Sequence, residues 1–316
     1  MSSLELVQND PSRRGDLVAF LNEAYADLRA LRAVGVERPD YPEFTEAELA
    51  ARDEAGAETF VLHRQGAIVS AASWLIHADR PWAVLDLIAT HPLHRRRGHA
   101  ASLLAWCEEW ARSLGLEGLQ TGPFVDSRYA PACGLFERCG FEVREPTRMN
   151  TTWEIDIEAW QPREPKLPEG WRVVSFQPGD EEAWVGLHRA VFESQATVQW
   201  FRGRFRDLPN FDPEGWLFVE SAGRKVGMAG AIVWFHDEAL TRPSGSLVEW
   251  VGVLPEERGK GLGEALMVSC LNYLKGRAVT PNCIVTQYFR EAAVGVYRKL
   301  GYRFVRECRT YAKTLG

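Results

Sequence analysis

The sequence predicts an α+β protein made of two tandem units, each a mixed sheet flanked by helices. Three observations carry that expectation. The chain has 316 residues, more than the one core of about 100–200 residues that most single domains build. A stretch in its first half superimposes without a gap on a stretch in its second. Behind both copies the same order of apolar patterns follows.

The first copy runs from Leu85 to Ala100 and the second from Val248 to Gly263. In this register Asp86 matches Glu249, Pro92 matches Pro255, Arg95 matches Arg258, Gly98 matches Gly261 and Ala100 matches Gly263. The apolar positions Ala100, Leu103, Leu104, Cys107, Trp110 and Ala111 reappear as Gly263, Leu266, Met267, Cys270, Tyr273 and Leu274. That spacing lays one stripe along a helix facing a sheet. Residues 135–141 (Leu-Phe-Glu-Arg-Cys-Gly-Phe) echo 296–302 (Val-Tyr-Arg-Lys-Leu-Gly-Tyr), each reading as a helix end closed by glycine. Upstream, Glu58–His63 and Trp216–Glu220 read as strands, with Ile68–Ile76 and Val226–Phe235 as their hairpin partners. Between the halves, three prolines fall within Pro162–Pro168, which reads as a stiff linker. The expected organisation is a domain over 1–157, a linker over 158–170 and a domain over 171–316.

Composition bounds the function. The hydrophobic fraction of 46%, charged fraction of 25% and net charge of −6 describe an ordinary globular chain with no footprint for a nucleic-acid partner. The start, Met-Ser-Ser-Leu-Glu-Leu, lacks the basic and apolar regions of a signal peptide, and no run approaches the ~18 apolar residues of a membrane span. The six cysteines are scattered, without zinc-like spacing. A reduced, cytoplasmic protein is expected, monomer or homodimer, with no metal and no membrane partner.

The chemistry concentrates in Arg258-Gly259-Lys260-Gly261-Leu262-Gly263, set between a strand and a helix. Glycines there let backbone N–H groups approach a ligand, and the helix start adds unsatisfied donors and the positive end of its dipole. Such a spot suits a pyrophosphate, with Arg258 and Lys260 supplying charge; it equally suits a tight turn that binds nothing. The loop lacks the ending of a nucleotide-triphosphate loop and the acidic partner of a dinucleotide fold.

What it resembles is the coenzyme A loop of the GNAT acetyltransferase superfamily. The family pattern is met by Arg258, Gly261 and Gly263, and again by Arg95, Gly98 and Ala100, with Val253-Leu254-Pro255 and Thr90-His91-Pro92 as its usual lead-in. The resemblance implies two tandem GNAT-type acyltransferase domains, each a mostly antiparallel sheet that splays after its fourth strand. It implies acetyl-CoA as co-substrate, its pantetheine arm pairing with backbone at Val251 and Val253 and its phosphates at residues 258–263. Arg290 stands where many relatives carry a cofactor-touching asparagine. In the first half, Arg95, Arg96, Arg97, Gly98, His99 and Ala100 form the corresponding loop.

Acyl transfer to an amine needs a base for the amine and an acid for the leaving thiolate. Strand alternation places Leu247, Glu249, Val251 and Val253 on one face, which makes Glu249 the candidate base through water. Tyr297 occupies the place where the family often carries the tyrosine that protonates the thiolate. Phe136 stands there in the first half and has no proton to give, so the second half is expected to work and the first to be silent. A solvated basic loop accounts for His91, His94 and His99. Trp171, Trp184, Trp200 and Trp216 fall in the acceptor-side region, as pocket lining or as core. The expected acceptor is a primary amine of a small molecule. Residues 211–216 (Phe-Asp-Pro-Glu-Gly-Trp) are similar to the mycothiol-synthase group of the family, whose C-terminal domain acetylates a cysteinyl aminosugar, whereas Arg290 points away from that group. A non-catalytic acetyl-CoA sensor or assembly module is the alternative from another class.

Overall fold

The computed structural model describes residues 4–30, 43–76, 81–122, 125–145, 149–235, 243–278 and 280–316. The first three residues of the amino-terminal segment therefore lie outside it. In chain order the elements begin with β1 (Leu4–Gln8), α1 (Arg14–Ala24), α2 (Ala26–Ala30), α3 (Glu46–Glu54), β2 (Ala57–Arg64), β3 (Ala67–Ile76) and β4 (Trp82–Thr90). There follow α4 (His99–Ser113), β5 (Gly118–Thr121), β6 (Val125–Asp126), α5 (Ala130–Arg138), β7 (Glu142–Val143) and β8 (Asn150–Ile155). The second run is β9 (Trp171–Ser175), α6 (Glu181–Phe192), α7 (Val198–Phe201), β10 (Trp216–Ser221), β11 (Arg224–Phe235) and β12 (Pro243–Val253). It closes with α8 (Leu262–Leu274), β13 (Asn282–Gln287), α9 (Glu291–Leu300), β14 (Arg303–Arg309) and β15 (Tyr311–Thr314). The expected hairpins are β2–β3 and β10–β11, antiparallel throughout.

Two compact units result, and they are not the two contiguous halves expected. The first comprises the described residues up to Asn150 together with Arg306–Gly316; the second comprises those of Thr151–Val305. One sheet, in the first unit, has the order β1-β2-β3-β4-β5-β15-β7; the other has the order β6-β14-β8-β13-β12-β11-β10-β9, its strands β8 to β13 and the start of β14 lying in the second unit and its edge strand β6 with the end of β14 in the first. Each sheet thus takes a strand from beyond the expected boundary. In the second unit β8 is fixed by Thr151 Oγ1 donating to Thr286 O (2.9 Å) and by Trp153 packing edge-on to Phe304. In the first, Tyr311 of β15 is fully buried and stacks on Phe136 at 5.3 Å. The proline-rich stretch is not a free spacer either. Trp160 is buried, its indole donates to Asn272 Oδ1 of α8 (3.0 Å), and Asn272 Nδ2 donates to Arg163 O (2.7 Å).

Helices cover both faces of each sheet, as the apolar stripes require. In the first unit Leu103, Leu104 and Cys107 of α4 pack with Trp74 and Phe136, and Leu17 and Leu21 of α1 pack with Leu87 and Ala89. In the second, Leu266, Met267 and Cys270 of α8 pack with Val248 and Tyr297, while Trp184 of α6 packs with Phe201 and Trp216. Among the described residues no helix is long and apolar enough to cross a membrane.

The end of β14 pairs with β6, where buried Asp126 meets Arg306 (2.8 Å) and Arg128 (2.7 Å). Burial alone pushes its carboxyl up, but hydrogen bonds and charge from the two guanidinium groups outweigh it and hold the carboxyl below the ordinary range. A carboxyl lowered by folding stabilises the protein above its unfolded value and loses that contribution as pH falls through the folded one. Urea melts are therefore expected to show a loss confined to below about pH 4. Asp126→Ala, which takes the buried carboxylate from Arg306 and Arg128, is expected to cost about 3–5 kcal/mol at neutral pH and to abolish that part of the acid dependence.

Candidate active site

The site of the second half is built from an interruption in β12. Its antiparallel register with β11 runs Ala231↔Val248 and Gly230↔Glu249, then resumes at Met228↔Gly252. One extra residue is therefore accommodated on β12, and Trp250 takes a left-handed φ of 55° there. This is a β-bulge, which flips the faces of everything beyond it. The expected alternation fails at this point: Val251 and Val253 pack on the α8 side with Val248, not on the face of Glu249. Trp250 joins the opposite, α6-side cluster.

On its other edge β12 runs parallel to β13 at Ser246↔Asn282 and Leu247↔Cys283, and among the described residues the pairing stops there. Leu254 N donates to Val226 O across the hairpin (2.8 Å). Two-residue alternation then turns the polar backbone groups of Val253 and Val251 into the gap between the parted strands. The loop follows directly. Arg258 Nε donates to Val253 O (3.1 Å), Gly259 and Gly261 take φ of 81° and 79°, and α8 begins with Gly261 as a cap lacking any side-chain acceptor. A β-carbon on Gly259, Gly261 or Gly263 would meet nothing within 4 Å, and the cap of α8 supplies no side-chain acceptor to its first-turn N–H groups. Lys260 reaches Glu257 (2.6 Å) and lies over Trp171, while Arg258 is exposed.

Across the gap stands α9. Arg290 is its cap residue, donating to Gln287 Oε1 (2.9 Å) with its guanidinium over Phe192 and Phe289. Tyr297 lies one face further along, 5% exposed. Burial pushes its hydroxyl up to about 12, partly offset by the Arg290 charge and a hydrogen bond with Thr286. Glu249 is half-buried on β12, immediately past the last residues paired with β13. Glu249 on β12, Tyr297 against Thr286 of β13 and the glycine-rich helix start thus lie on the elements around the parted strands, with Val253 O held by Arg258.

Sequence comparison agrees with this geometry. The Acetyltransferase (GNAT) family profile matches twice, at residues 20–141 and 184–302. The chain belongs to the GNAT acetyltransferase family. A mycothiol acetyltransferase of Thermobispora bispora is 32% identical, covering 77% of this chain and 79% of that protein. One of Cellulomonas flavigena is 29% identical over 95% and 88%. In fold, a tandem GNAT protein from the clavulanic acid biosynthesis pathway superimposes with a TM-score of 0.65 at 18% identity, covering 99% of each chain. The protein is accordingly an acyltransferase, and GNAT acetyltransferases use acetyl-CoA.

The first GNAT copy repeats the scaffold with different chemistry. Its bulge lies between Trp74↔Leu85 and Ser73↔Leu87, and β4 pairs with β5 only as far as Leu85↔Thr121. Gly98 caps α4 at φ 84°, Arg96 takes φ 61°, Arg97 is exposed, His99 is buried as the first helical residue and Ala100 follows. Asp86, in the place of Glu249, is ion-paired with Arg52. Phe136, in the place of Tyr297, is sealed in the core.

Some functional surroundings had no signal in the sequence reading. His188 of α6 is buried, its ring 4.4 Å from Trp250 and its Nδ1 2.5 Å from Ser194 Oγ, and burial pushes it down to about 4, so it is neutral at physiological pH. Of the four tryptophans singled out, Trp184 and Trp216 are core and Trp200 is the most exposed at 37%.

The left-handed Gly261 position gives a direct test. Gly261→Glu combines a backbone penalty with a carboxylate where the phosphates would sit. Calorimetry is expected to show acetyl-CoA affinity falling roughly a hundredfold or more, a loss of about 3 kcal/mol, with the fold intact by circular dichroism.

Proposed function

We propose that the second half acetylates a primary amine of a small molecule by direct attack on acetyl-CoA in a ternary complex. The observation that carries this reading is the parting of β12 from β13, with Glu249 on the one strand, Tyr297 of α9 hydrogen-bonded to Thr286 of the other, and the glycine loop at the end of β12. Val251 and Val253 pair with the pantetheine arm, and the N–H groups of residues 258–263 hold the phosphates. Arg290 adds a cation at the mouth, in place of the asparagine of many relatives.

In the reaction the amine nitrogen bonds the thioester carbon and the carbon–sulfur bond breaks. One amine proton leaves through water to Glu249, and one proton must reach the departing sulfur. Tyr297 is protonated at neutral pH because burial holds its hydroxyl up at about 12. Outright transfer to a thiolate of ordinary affinity, near 8.5, is uphill by roughly 3 to 4 pH units, or about 4–5 kcal/mol. The hydroxyl therefore works first as a hydrogen-bond donor to the developing thiolate. The positive Arg290 lowers that cost, the proton taken up at Glu249 passes to solvent, and Tyr297 is reprotonated from solvent, so one proton leaves nitrogen and one reaches sulfur.

A cysteinyl aminosugar of the mycothiol-synthase type is the second reading of the acceptor, favoured by the 32% identity to a mycothiol acetyltransferase. The six cysteines are all free, which supports a reducing, cytoplasmic setting.

Assays of purified protein against a panel of primary amines, the cysteinyl aminosugar included, test the assignment. Tyr297→Phe and Glu249→Gln are each expected to lower kcat by about 10²–10⁴, with acetyl-CoA affinity unchanged. Wild-type activity should persist to high pH, because the raised tyrosine value moves the alkaline limb above that of an ordinary tyrosine near 10; Tyr297→Phe should lose that limb. Unchanged acyl transfer in Tyr297→Phe would remove the acid from the mechanism. Binding without turnover of any acceptor would favour the sensor reading.

A further inference from the structure

In the first half, the backbone edge that borders the gap beside β4 is occupied by that half's own side chains. His91 N donates to Val69 O of β3 (3.0 Å), so the polar groups of Ala89 face β3 and those of Ile88 and Thr90 face the gap. Ala89 O accordingly accepts from Ser70 Oγ of β3 (2.8 Å). Ile88 O instead accepts the Tyr25 hydroxyl (3.1 Å), and Thr90 O accepts Arg95 Nε (3.2 Å). Arg95 is fixed on its far side as well, donating to Asp27 Oδ2 (2.6 Å) and Ala24 O (2.7 Å). The same Asp27 oxygen accepts the hydroxyl of Tyr129 (3.0 Å), the cap residue of α5. One carboxylate therefore ties the loop after β4 to the helix that follows β5 and β6.

The second half is an internal control. Its helix α6 meets the equivalent strand at Gly252 through Val191 and Phe192, and matching the buried stripes of α1 and α6 puts Phe192 in the place of Tyr25. Phenylalanine has no hydroxyl to donate to Val251 O. Arg290 stands where Tyr129 does, and Arg258 keeps the bond to its strand carbonyl but is exposed. The arginine-to-carbonyl contact is therefore common to both halves, and the contacts made by Tyr25 and Asp27 are the ones specific to the first.

We propose that Tyr25 and Asp27 form a latch that closes the first-half groove to the pantetheine arm, so that the protein takes up one equivalent of acetyl-CoA while the latch holds. Entry there requires the Tyr25–Ile88 bond to break and Asp27 to release Arg95 and Tyr129. This makes the segment from Ala24 to Asp27 a control point for a second, latent coenzyme site.

Calorimetric titration with acetyl-CoA tests this in three proteins: wild type, Gly261→Glu, and Gly261→Glu combined with Tyr25→Phe and Asp27→Asn. Wild type is expected to bind one equivalent and Gly261→Glu none at millimolar ligand. The triple variant is expected to recover one equivalent, a gain of at least about tenfold in first-half affinity, lost again on adding Gly98→Glu. Two equivalents of comparable affinity in wild type would overturn the latch, as would binding to Gly261→Glu that the further change Gly98→Glu abolishes. So would a folded triple variant that binds nothing, because other groups would then be closing the groove. Should the triple variant melt early, Gly261→Glu with Tyr25→Phe alone, which deletes one oxygen, gives the same reading. Acetyl-CoA density in the first groove of wild-type crystals soaked at millimolar ligand would also refute it.

Discussion

The site depends on a strand that must leave its neighbour at a defined residue. In the second half β12 and β13 are last paired at Leu247 and Cys283, and one residue earlier a buried polar cluster pins them. Asn282 Nδ2 donates to Ser246 Oγ (3.0 Å), and the Tyr302 hydroxyl bonds Asn282 Oδ1. All three residues are buried. Such a cluster is costly unless every member is satisfied, and that condition fixes one register rather than several. The bulge at Trp250 then turns the free portion of β12, so backbone donors and acceptors meet the gap just where the sheet stops using them. In the first half the corresponding pin is Thr121, whose hydroxyl donates to Gly122 O (2.9 Å) and accepts from Tyr311 N (2.9 Å).

That second pin belongs to the far end of the chain, and the same holds in the other unit. β13 is backed by β8, which precedes the proline-rich stretch, and β5 is backed by β15, the final strand. Behind each gap, the strand that keeps the sheet closed is thus contributed from outside the contiguous repeat. A parted pair of strands exposes edges that invite slippage; backing β13 with Thr151, which bonds Thr286 O, removes that freedom on the side away from the ligand. Neither repeat, cut at 157 or 171, would carry the strand that braces its own gap.

The elements themselves were legible because their patterns are local. Period-2 and period-3.6 stripes located the two hairpins, and the helices α4 and α8, to within a few residues. The loops at Gly98 and Gly261 announced themselves by composition. The bulge was not legible, because adding a residue breaks the alternation that reads a strand; it placed Val251 and Val253 on the face of Glu249 when they lie on the other. The strand exchange was hidden for a different reason. A strand's pattern shows which face is buried but not which partner it pairs with, and residues 150–155 read as a strand equally well in either sheet. Tyr25 and Asp27 lie in the part of the repeat where the two halves no longer align by eye. Their signal was a difference rather than a motif, a hydroxyl present in one half and missing at Phe192 in the other.

The divergence of the halves also separates what the glycine loop does for folding from what it does for chemistry. Gly98 and Gly261 hold φ of 84° and 79°, nearly the same turn in both. If that conformation existed only for the reaction, it would be free to drift in a half that carries phenylalanine in place of the tyrosine. It has not drifted, because a strand passing directly into a helix over the sheet needs a left-handed residue there in any case. The groups that did change are those the fold does not need. Phe136 in place of a tyrosine packs against Tyr311 with no hydroxyl to satisfy, Asp86 found a partner in Arg52, and the Ile88 carbonyl found Tyr25. Each change alters a group that the proposed reaction uses and the fold does not. The glycine motif therefore reports the fold, and the groups that differ around it bear on the function.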